Sequence, residues 1–76
     1  MNANPKYKVS DRVTIKKRMK VGVKYGGITL LSGMKTVLQG GTFEIDVVSD
    51  AGNYLLRLPD SFGYYVSEEM ILRKEN

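Results

Sequence analysis

The chain contains no cysteine, histidine or tryptophan among its 76 residues. The lack of cysteine excludes disulfides and thiolate nucleophiles, and the lack of histidine excludes His-ligated zinc sites. A chain of this length buries only ~60% of the surface that its unfolded form exposes, so small domains often use such crosslinks to supplement the core. This fold must therefore rest on apolar packing alone.

Long apolar runs are also missing, since no stretch approaches the ~20 residues that span a bilayer. Residues 1–8 are polar and basic, and no apolar segment typical of secretory signals follows them. Together with the lack of cysteine, this predicts a cytoplasmic protein. We expect a flexible tail at residues 1–8, in which Pro5 blocks regular structure, and a single domain at residues 9–74. Tyr7 and Val9 are the first residues expected to pack against the domain.

Charge is distributed unevenly along the chain. Residues 1–38 carry nine of the twelve lysines and arginines beside one acid, Asp11, whereas residues 39–76 carry three basic and seven acidic residues. The halves are therefore net +8 and −4 in a chain of overall charge +4. A small domain cannot separate its halves far, so we expect a basic face and a milder acidic face. This distribution indicates a binding surface without naming the partner.

Alternation of apolar and polar residues predicts about five short strands. In the first, Val13 and Ile15 alternate with Arg12, Thr14 and Lys16, so that one face is buried and the other meets water. Turn residues at 49–53 and 59–63 connect the middle strands as antiparallel hairpins. The remaining strands are expected around Phe43, Ile45 and Val47, around Tyr54, Leu56 and Leu58, at Tyr64–Val66, and at Met70–Arg73.

Glycines and capping residues define the segments between the strands. The stretch Met19–Gly33 holds four glycines, which is too many for a helix and predicts a long structured loop. Ser32 is expected to cap a helix of one or two turns that ends before Gly40. Ser67 precedes two glutamates, a pattern typical of a capped helical turn.

These elements favour an all-β fold, a small SH3-like barrel. Five short antiparallel strands are too few for a two-layer sandwich, but they can curl into a partly open barrel that hides most strand edges. The expected architecture is a five-stranded antiparallel barrel with a long first loop, one short helix and a helical turn before the last strand. The loop corresponds to Arg18–Gly41, the central hairpin to Phe43–Leu58 and the helical turn to Ser67–Met70.

Two resemblances accompany this architecture. The segment Lys8–Val13 is similar to the lysine, valine, glycine, aspartate, arginine, valine opening of many small SH3-like domains, with Ser10 in place of the usual glycine. A second set of motifs is spread over nearly the whole chain and consists of Tyr25–Gly27, Met34, Gly40–Gly41, Tyr64–Tyr65 and Ser67–Met70. In these motifs the chain resembles short uncharacterised proteins encoded by phages and prophages of Gram-positive bacteria. That resemblance implies a phage or prophage protein in the host cell cytoplasm, and it reports fold far more than function.

The sequence offers little for catalysis, and we expect no enzyme, no cofactor and no metal. A nucleophile and its base would have to come from serine, lysine and carboxylates, and no serine-elbow or phosphate-loop spacing occurs. Glu44 and Asp46 share one strand face and are expected to point into water, although a divalent ion there is conceivable. Glu68 and Glu69 are adjacent in a helical turn and should diverge.

The strongest functional signal is a group of basic residues at the end of the first strand and in the long loop, with one tyrosine nearby. Phosphates and acidic protein surfaces are both attracted to such a group, and the tyrosine can stack on a base or fill a protein pocket. Solubility alone also explains many charge runs. Three interpretations of these residues therefore stay open: nucleic-acid binding, protein binding and solubility. This basic cluster consists of Lys16, Lys17, Arg18, Lys20, Lys24 and Tyr25.

Tyrosines form a second candidate surface. Tyr64 and Tyr65 are adjacent in one strand and must face opposite sides, so we expect one in the core and the other exposed as a binding anchor. A half-buried strand tyrosine explains the same pattern equally well. Tyr54 and Phe62 lie on the same hairpins. Recognition of proline-rich ligands is disfavoured, because the chain has no tryptophan to edge the aromatic groove.

The leading functional hypothesis is a non-enzymatic phage or prophage accessory module that docks on a host or phage protein. Inhibition of a bacterial immune nuclease, in the manner of an anti-CRISPR protein, is one concrete version of this anti-defence role. The alternatives are nucleic-acid binding through the basic cluster and a structural or self-associating role. Neither a membrane nor a small-molecule substrate is expected as a partner. Protein is placed ahead of nucleic acid because the charge of +4 is modest and aromatic interleaving is sparse.

Overall fold

The computed structural model describes residues 6–58 and 63–75, and this part of the chain is mainly β with one short helix. Five strands form one antiparallel sheet in the order β6, β5, β4, β1, β7, and β2 and β3 form a separate hairpin. The elements are β1 (Arg12–Ile15), β2 (Lys24–Tyr25), β3 (Ile28–Thr29), α1 (Ser32–Leu38), β4 (Thr42–Val48), β5 (Tyr54–Leu56), β6 (Tyr64–Val66), a 3₁₀ turn (Glu68–Met70) and β7 (Ile71–Lys74).

The prediction of a mainly β domain with a five-stranded antiparallel sheet is confirmed. Within the described residues β6 and β7 each pair with one neighbour and not with each other, so the sheet is not closed into a barrel. β7 begins at Ile71, one residue later than expected. The predicted reversal at residues 59–63, with Phe62, lies almost wholly outside the described residues.

β1 lies between two strands that are distant from it in sequence. Val13 pairs with Phe43 of β4, and Thr14 pairs with Arg73 of β7. Val13 and Ile15 are fully buried, as the alternation predicts. Thr14 was expected to meet water, but this prediction is wrong because Thr14 is only 8% exposed. As a strand with a neighbour on each side, β1 has its outward side chains flanked by those of β4 and β7.

The predicted central hairpin is confirmed, with β4 and β5 paired and Tyr54 and Leu56 fully buried. The turn is closed by the N–H of Ser49, which donates to the carbonyl of Asn53 at 2.8 Å. Pro59 and the residues after it up to Phe62 are outside the described part of the chain, but Leu58 is buried as expected.

The alternation along β4 is broken near its end. The register shifts between Ile45 and Val47, which indicates a bulge in which β4 carries one extra residue. Val47 is therefore exposed and Val48 packs against the core instead. The prediction of Val47 as an inward-facing residue is wrong for this reason.

The helix is confirmed, and it ends before Gly40, whose φ of 70° does not continue a helix. The predicted cap at Ser32 is wrong. The N-cap of α1 is Leu31, and Ser32 is the first helical residue. Ser67 is the N-cap residue of the 3₁₀ turn, as predicted, but its hydroxyl donates to the carbonyl of Tyr25 at 2.7 Å and makes no cap hydrogen bond.

The N-terminal segment packs on the domain from Lys6 onward. Tyr7 is buried and meets the ring of Tyr54 edge to face at a centroid distance of 5.6 Å. Val9, by contrast, is 54% exposed. Within the predicted tail, residues 6–8 therefore lie against the body, and residues 1–5 are outside the described residues.

The core lies on one side of the sheet and combines residues from every part of the chain. The strands contribute fully buried side chains, and β7 adds the buried Ile71. The fully buried strand residues include Val13, Ile15, Ile45, Tyr54, Leu56 and Val66. The long loop adds Met19 and Leu30, and α1 adds Met34 and Leu38. In residues 6–58 and 63–75 no helix has the length and apolarity to cross a membrane.

Candidate interaction site

The basic cluster begins where β1 ends, because the backbone is fixed on both sides of Ile15. The N–H of Ile15 donates to the carbonyl of Gly41 at 2.9 Å, and the N–H of Gly40 donates to the carbonyl of Ile15 at 3.1 Å. The N–H of Lys16 donates to the carbonyl of Met70 at 3.0 Å, so the chain leaves the sheet at a defined position. Three consecutive exposed cations follow from this point, namely Lys16, Lys17 and Arg18.

These three cations line an open groove of about 880 Å³. A fourth cation, one carboxylate, two threonine hydroxyls and apolar side chains complete its walls. The groove therefore offers both charge and apolar contact to a ligand. The side chains that supply these groups are Arg73, Glu75, Thr14, Thr42, Met19, Tyr25 and Leu72.

The polar floor of the groove is a row that crosses three strands. Thr42 of β4 and Arg73 of β7 are the pairing partners of Thr14 on either side of β1. The hydroxyls of Thr14 and Thr42 are 2.8 Å apart, and the hydroxyl of Thr14 donates to Oε2 of Glu75 at 2.9 Å. The Nε of Arg73 forms an ion pair with the same oxygen. The row thus converges on one carboxylate oxygen.

The surroundings of Glu75 favour its charged form. The hydrogen bond from Thr14 lowers the pKa of the Glu75 carboxyl, and the Arg73 side chain acts in the same direction, while desolvation opposes both. The floor of the groove is therefore a place where a carboxylate is stabilised.

Lys17 and Tyr25 are held in place by backbone contacts. The aliphatic stem of Lys17 lies over Gly40, where an added Cβ would sit 3.0 Å from Lys17 Cγ. The hydroxyl of Tyr25 accepts a hydrogen bond from the N–H of Lys20 at 2.8 Å, and the ring is half-buried. The side chain of Tyr25 is thus fixed in the groove wall.

The β2–β3 hairpin is fastened to the 3₁₀ turn, and this places Tyr25. The Ser67 hydroxyl donates to the carbonyl of Tyr25 at 2.7 Å. Gly26 approaches the same serine so closely that an added Cβ would lie 2.8 Å from Ser67 Cβ. The long loop is therefore structured, as the sequence predicts, and its Met19 and Tyr25 line the groove.

The predicted site residues fall into separate places. Lys16, Lys17, Arg18 and Tyr25 share the groove. Lys20 and Lys24 are exposed on the loop outside the groove lining. Tyr64 and Tyr65 belong to β6, at the other edge of the sheet from β7.

The two adjacent tyrosines divide as predicted, with one against the core and one exposed. Tyr64 packs against the core, and its hydroxyl lies 3.6 Å from the position of an added Cβ at Gly33 of α1. Tyr65 is 45% exposed. Tyr65 is thus the tyrosine of this pair that is available to a partner.

Sequence reasoning missed most of the groove floor. Thr14 was assigned to a solvated strand face, and Thr42, Arg73 and Glu75 were not singled out. The one available signal was that Arg73 and Glu75 are two residues apart and so share a strand face. The strand pairing that joins them to Thr14 could not be deduced from that spacing.

A second polar cluster lies near the N-terminal segment. The buried hydroxyl of Tyr54 donates to Oε2 of Glu68 at 2.7 Å and accepts from the N–H groups of Lys6 and Tyr7 at 3.1 and 3.3 Å. Desolvation and the hydrogen bond to Glu68 raise the pKa of Tyr54 to about 12. The hydrogen bond from Tyr54 lowers the pKa of Glu68. This cluster ties the N-terminal segment to β5 and the 3₁₀ turn.

The carboxylate pairs singled out in the sequence have other partners. Asp46 is exposed and forms an ion pair with Arg57 at 2.7 Å, whereas Glu44 is half-buried. Glu68 faces Tyr54, and Glu69 lies near Gly26. Within the described ranges no three acidic side chains are grouped so that they could hold a metal ion.

Comparisons with models of protein families, with curated proteins and with solved structures found no match for this chain. The geometry of the groove is therefore the basis for any functional proposal.

Proposed function

We propose that this protein is a non-enzymatic binding module that docks on a protein partner through the groove beside β1. The observation that carries the proposal is the composition of the groove, in which Lys16, Lys17, Arg18 and Arg73 surround apolar side chains. Such a surface attracts an acidic protein segment by charge and holds it by apolar contact.

A protein partner is favoured over nucleic acid by two features of the groove. The floor already holds the carboxylate of Glu75, with a hydrogen bond from Thr14 and an ion pair with Arg73, so it has the donors that suit a carboxylate of a protein side chain. Leu72 lines the same groove and is 52% exposed, so it offers apolar contact. Among the described residues that line the groove, Tyr25 alone is aromatic. Binding of single-stranded nucleic acid usually relies on several aromatic platforms.

The SH3-like barrel remains our proposal for the fold family. It is supported by the long structured loop after β1, the central β4–β5 hairpin and the 3₁₀ turn directly before β7. The resemblance to short phage and prophage proteins supports a host or phage protein as the partner. One specific form of this proposal is an anti-defence role, in which the protein inhibits a bacterial immune nuclease. Genes adjacent to the coding sequence test this context, because phage accessory genes cluster by role.

The proposed site is tested with a defined probe, a labelled peptide of alternating glutamate and leucine, measured by fluorescence anisotropy at about 0.1 M salt. The variant Lys16→Gln, Lys17→Gln, Arg18→Gln removes three groove cations. If each exposed ion pair contributes ~0.5 kcal/mol, the affinity should fall by about tenfold. An equal affinity of wild type and variant would contradict the proposal.

A matched control removes the same charge elsewhere. The variant Lys8→Gln, Lys35→Gln, Arg57→Gln also loses three cations, none of which lines the groove. Its affinity should stay within about threefold of the wild type, because these charges lie outside the groove and salt of about 0.1 M screens exposed charges over ~10 Å. A loss equal to that of the groove variant would mean that net charge alone governs binding.

Nucleic-acid binding is the second candidate, and it is favoured by four cations on one groove. Labelled single-stranded and duplex DNA and RNA of mixed sequence are measured with the same variants. Binding that is stronger than that of the peptide and falls steeply with salt would replace protein docking as the proposed function.

A further inference from the structure

The hydroxyl groups in the groove floor form a chain of hydrogen bonds that ends at the carboxylate of Glu75. A threonine hydroxyl has a single proton, and that of Thr14 is donated to Oε2 of Glu75. The 2.8 Å contact with Thr42 must then use the Thr42 proton, so Thr42 donates to Thr14 and Thr14 donates to Glu75. Both hydroxyls are thus oriented as donors toward a carboxylate.

This donor row is a built feature of the sheet. Thr14 is more than nine-tenths buried, although it lies on the outward face of β1. Arg73, its partner on β7, points a guanidinium at the same carboxylate oxygen. Lys16 comes directly after β1 and lines the same groove. The donors and cations together make a carboxylate subsite in the middle of a basic groove.

The side chain that fills the subsite can leave it without unfolding the strand. The backbone N–H of Glu75 donates to the carbonyl of Arg12 at 2.7 Å, which fixes the main chain. The side chain itself keeps 36% of its surface exposed. A change of rotamer therefore vacates the subsite while β7 stays paired with β1.

We propose that Glu75 is an internal occupant of the subsite that receives an aspartate or glutamate of the partner, and that the partner's carboxylate displaces it on binding. This inference rests on the proposed function and names the chemistry of the partner as an acidic, extended protein segment. Because the partner's carboxylate takes the place of the Glu75 carboxylate, the hydrogen bond from Thr14 and the ion pair with Arg73 are formed again with the new carboxylate. A tethered competitor of this kind weakens apparent affinity by the fraction of time for which it blocks the subsite.

The test is the affinity of Glu75→Ala for the labelled glutamate–leucine peptide. Removal of the competitor should strengthen binding by about threefold to tenfold. Asp50→Asn, which removes an exposed acid on the β4–β5 turn, should change affinity less than twofold because it alters only the net charge. Glu75→Gln serves as a second variant of nearly the same shape and should also strengthen binding.

Two further arms separate a carboxylate subsite from a mere opening of the groove. A glutamine–leucine peptide should gain nothing from Glu75→Ala. In a Thr14→Val background, which lacks the donor, the gain for the acidic peptide should shrink to less than about half, as expected for coupled residues.

The outcomes distinguish this inference from the proposed function. If the wild type binds the acidic peptide through the groove cations but Glu75→Ala gives no gain, or a gain equal to that of Asp50→Asn, the inference is wrong and the proposed function stands. A gain that persists undiminished with Thr14→Val also overturns it. If neither wild type nor Glu75→Ala binds the peptide, both fail. A gain for oligonucleotides and not for the peptide would overturn the choice of a carboxylate ligand.

Discussion

At the scale of single residues, Ser10 carries backbone strain that glycine would remove. Among the described residues it is a non-glycine with positive φ, at 78°, a conformation that costs a residue with a Cβ roughly 1–2 kcal/mol. The backbone at Ser10 thus has the left-handed conformation that glycine favours. Ser10→Gly should therefore increase the free energy of unfolding by about 0.5–1 kcal/mol, since glycine's greater unfolded entropy offsets part of the gain.

Urea unfolding followed by circular dichroism measures this change. Ser10→Ala keeps the strain and removes only the hydroxyl, so it should stay within about 0.5 kcal/mol of the wild type. If Ser10→Ala stabilised the domain as much as Ser10→Gly, loss of the hydroxyl and not relief of φ would be the cause.

The same scale shows which site residues a sequence can reveal. Lys16, Lys17 and Arg18 are consecutive, so their shared surface follows from the end of one strand. Thr14 and Glu75 are 61 residues apart, and their hydrogen bond depends on the pairing of β1 with β7. Charge clusters that are local in sequence were predicted, whereas a polar contact assembled across strands was not.

At the scale of elements, the attachment of the β2–β3 hairpin to the 3₁₀ turn depends on Gly26. This residue has a φ of 62°, and an added Cβ would meet Ser67 Cβ at 2.8 Å. Gly26→Ala should therefore destabilise the domain by about 2–3 kcal/mol, from backbone strain and from the contact with Ser67. Thermal unfolding monitored by circular dichroism is the measurement.

Gly52→Ala provides the control for strain alone. Its φ is 85°, but nothing lies within 4 Å of an added Cβ. This variant should cost only about 1–2 kcal/mol. If the free energy of unfolding fell equally for Gly26→Ala and Gly52→Ala, the contact with Ser67 would contribute nothing, and the β2–β3 hairpin would not be tightly attached to the 3₁₀ turn.

Elements were predictable where one face is buried and turn residues flank the strand. The β4–β5 hairpin follows from alternation and the turn at Ser49–Asn53. The bulge after Ile45 could not be predicted from the sequence, because the pairing with the partner strand decides where the register shifts. Beyond the bulge, each side chain lies on the opposite face of the sheet from the one that alternation predicts. The short strands β2 and β3 also escaped prediction, since two residues each give no period to detect.

At the scale of the whole molecule, the Tyr54–Glu68 cluster makes stability depend on pH. The hydrogen bond from Tyr54 lowers the pKa of Glu68 in the folded state, whereas the unfolded carboxyl titrates near ~4.3. The contribution of Glu68 is thus complete above that pH and is lost as the pH falls through the lower folded pKa. Glu75 adds a loss of the same sign, because its pKa is also lowered.

Urea unfolding at a series of acidic pH values checks this expectation. Glu68→Gln should unfold with a shallower pH dependence below about pH 4.3 and should retain only the part due to other carboxyls. Tyr54→Phe removes the donor and should flatten the same region. An unchanged acid dependence in both variants would contradict the role of the cluster.

At alkaline pH, Tyr54 makes the free energy of unfolding fall as the pH rises, which is the opposite of the dependence at acidic pH. The pKa of Tyr54 is raised to about 12, above the value of ~10 for an unperturbed tyrosine, so the folded state keeps the proton to higher pH than the unfolded chain. Stability from this group is complete below about pH 10 and is lost as the pH rises toward 12. Tyr54→Phe should remove this part of the alkaline loss.

The position of β1 between β4 and β7 also orders the events of synthesis and folding. The meander from β4 to β6 has partners that are near in sequence, whereas β1 must wait for residues 71–74 before its second edge is paired. Contacts between distant residues form slowly, because the intervening chain must first be brought to closure. On the ribosome, Val13 and Ile15 are thus made early but lack one neighbouring strand until almost the whole domain has emerged. The groove is therefore expected to be the last part of the molecule to acquire its final form.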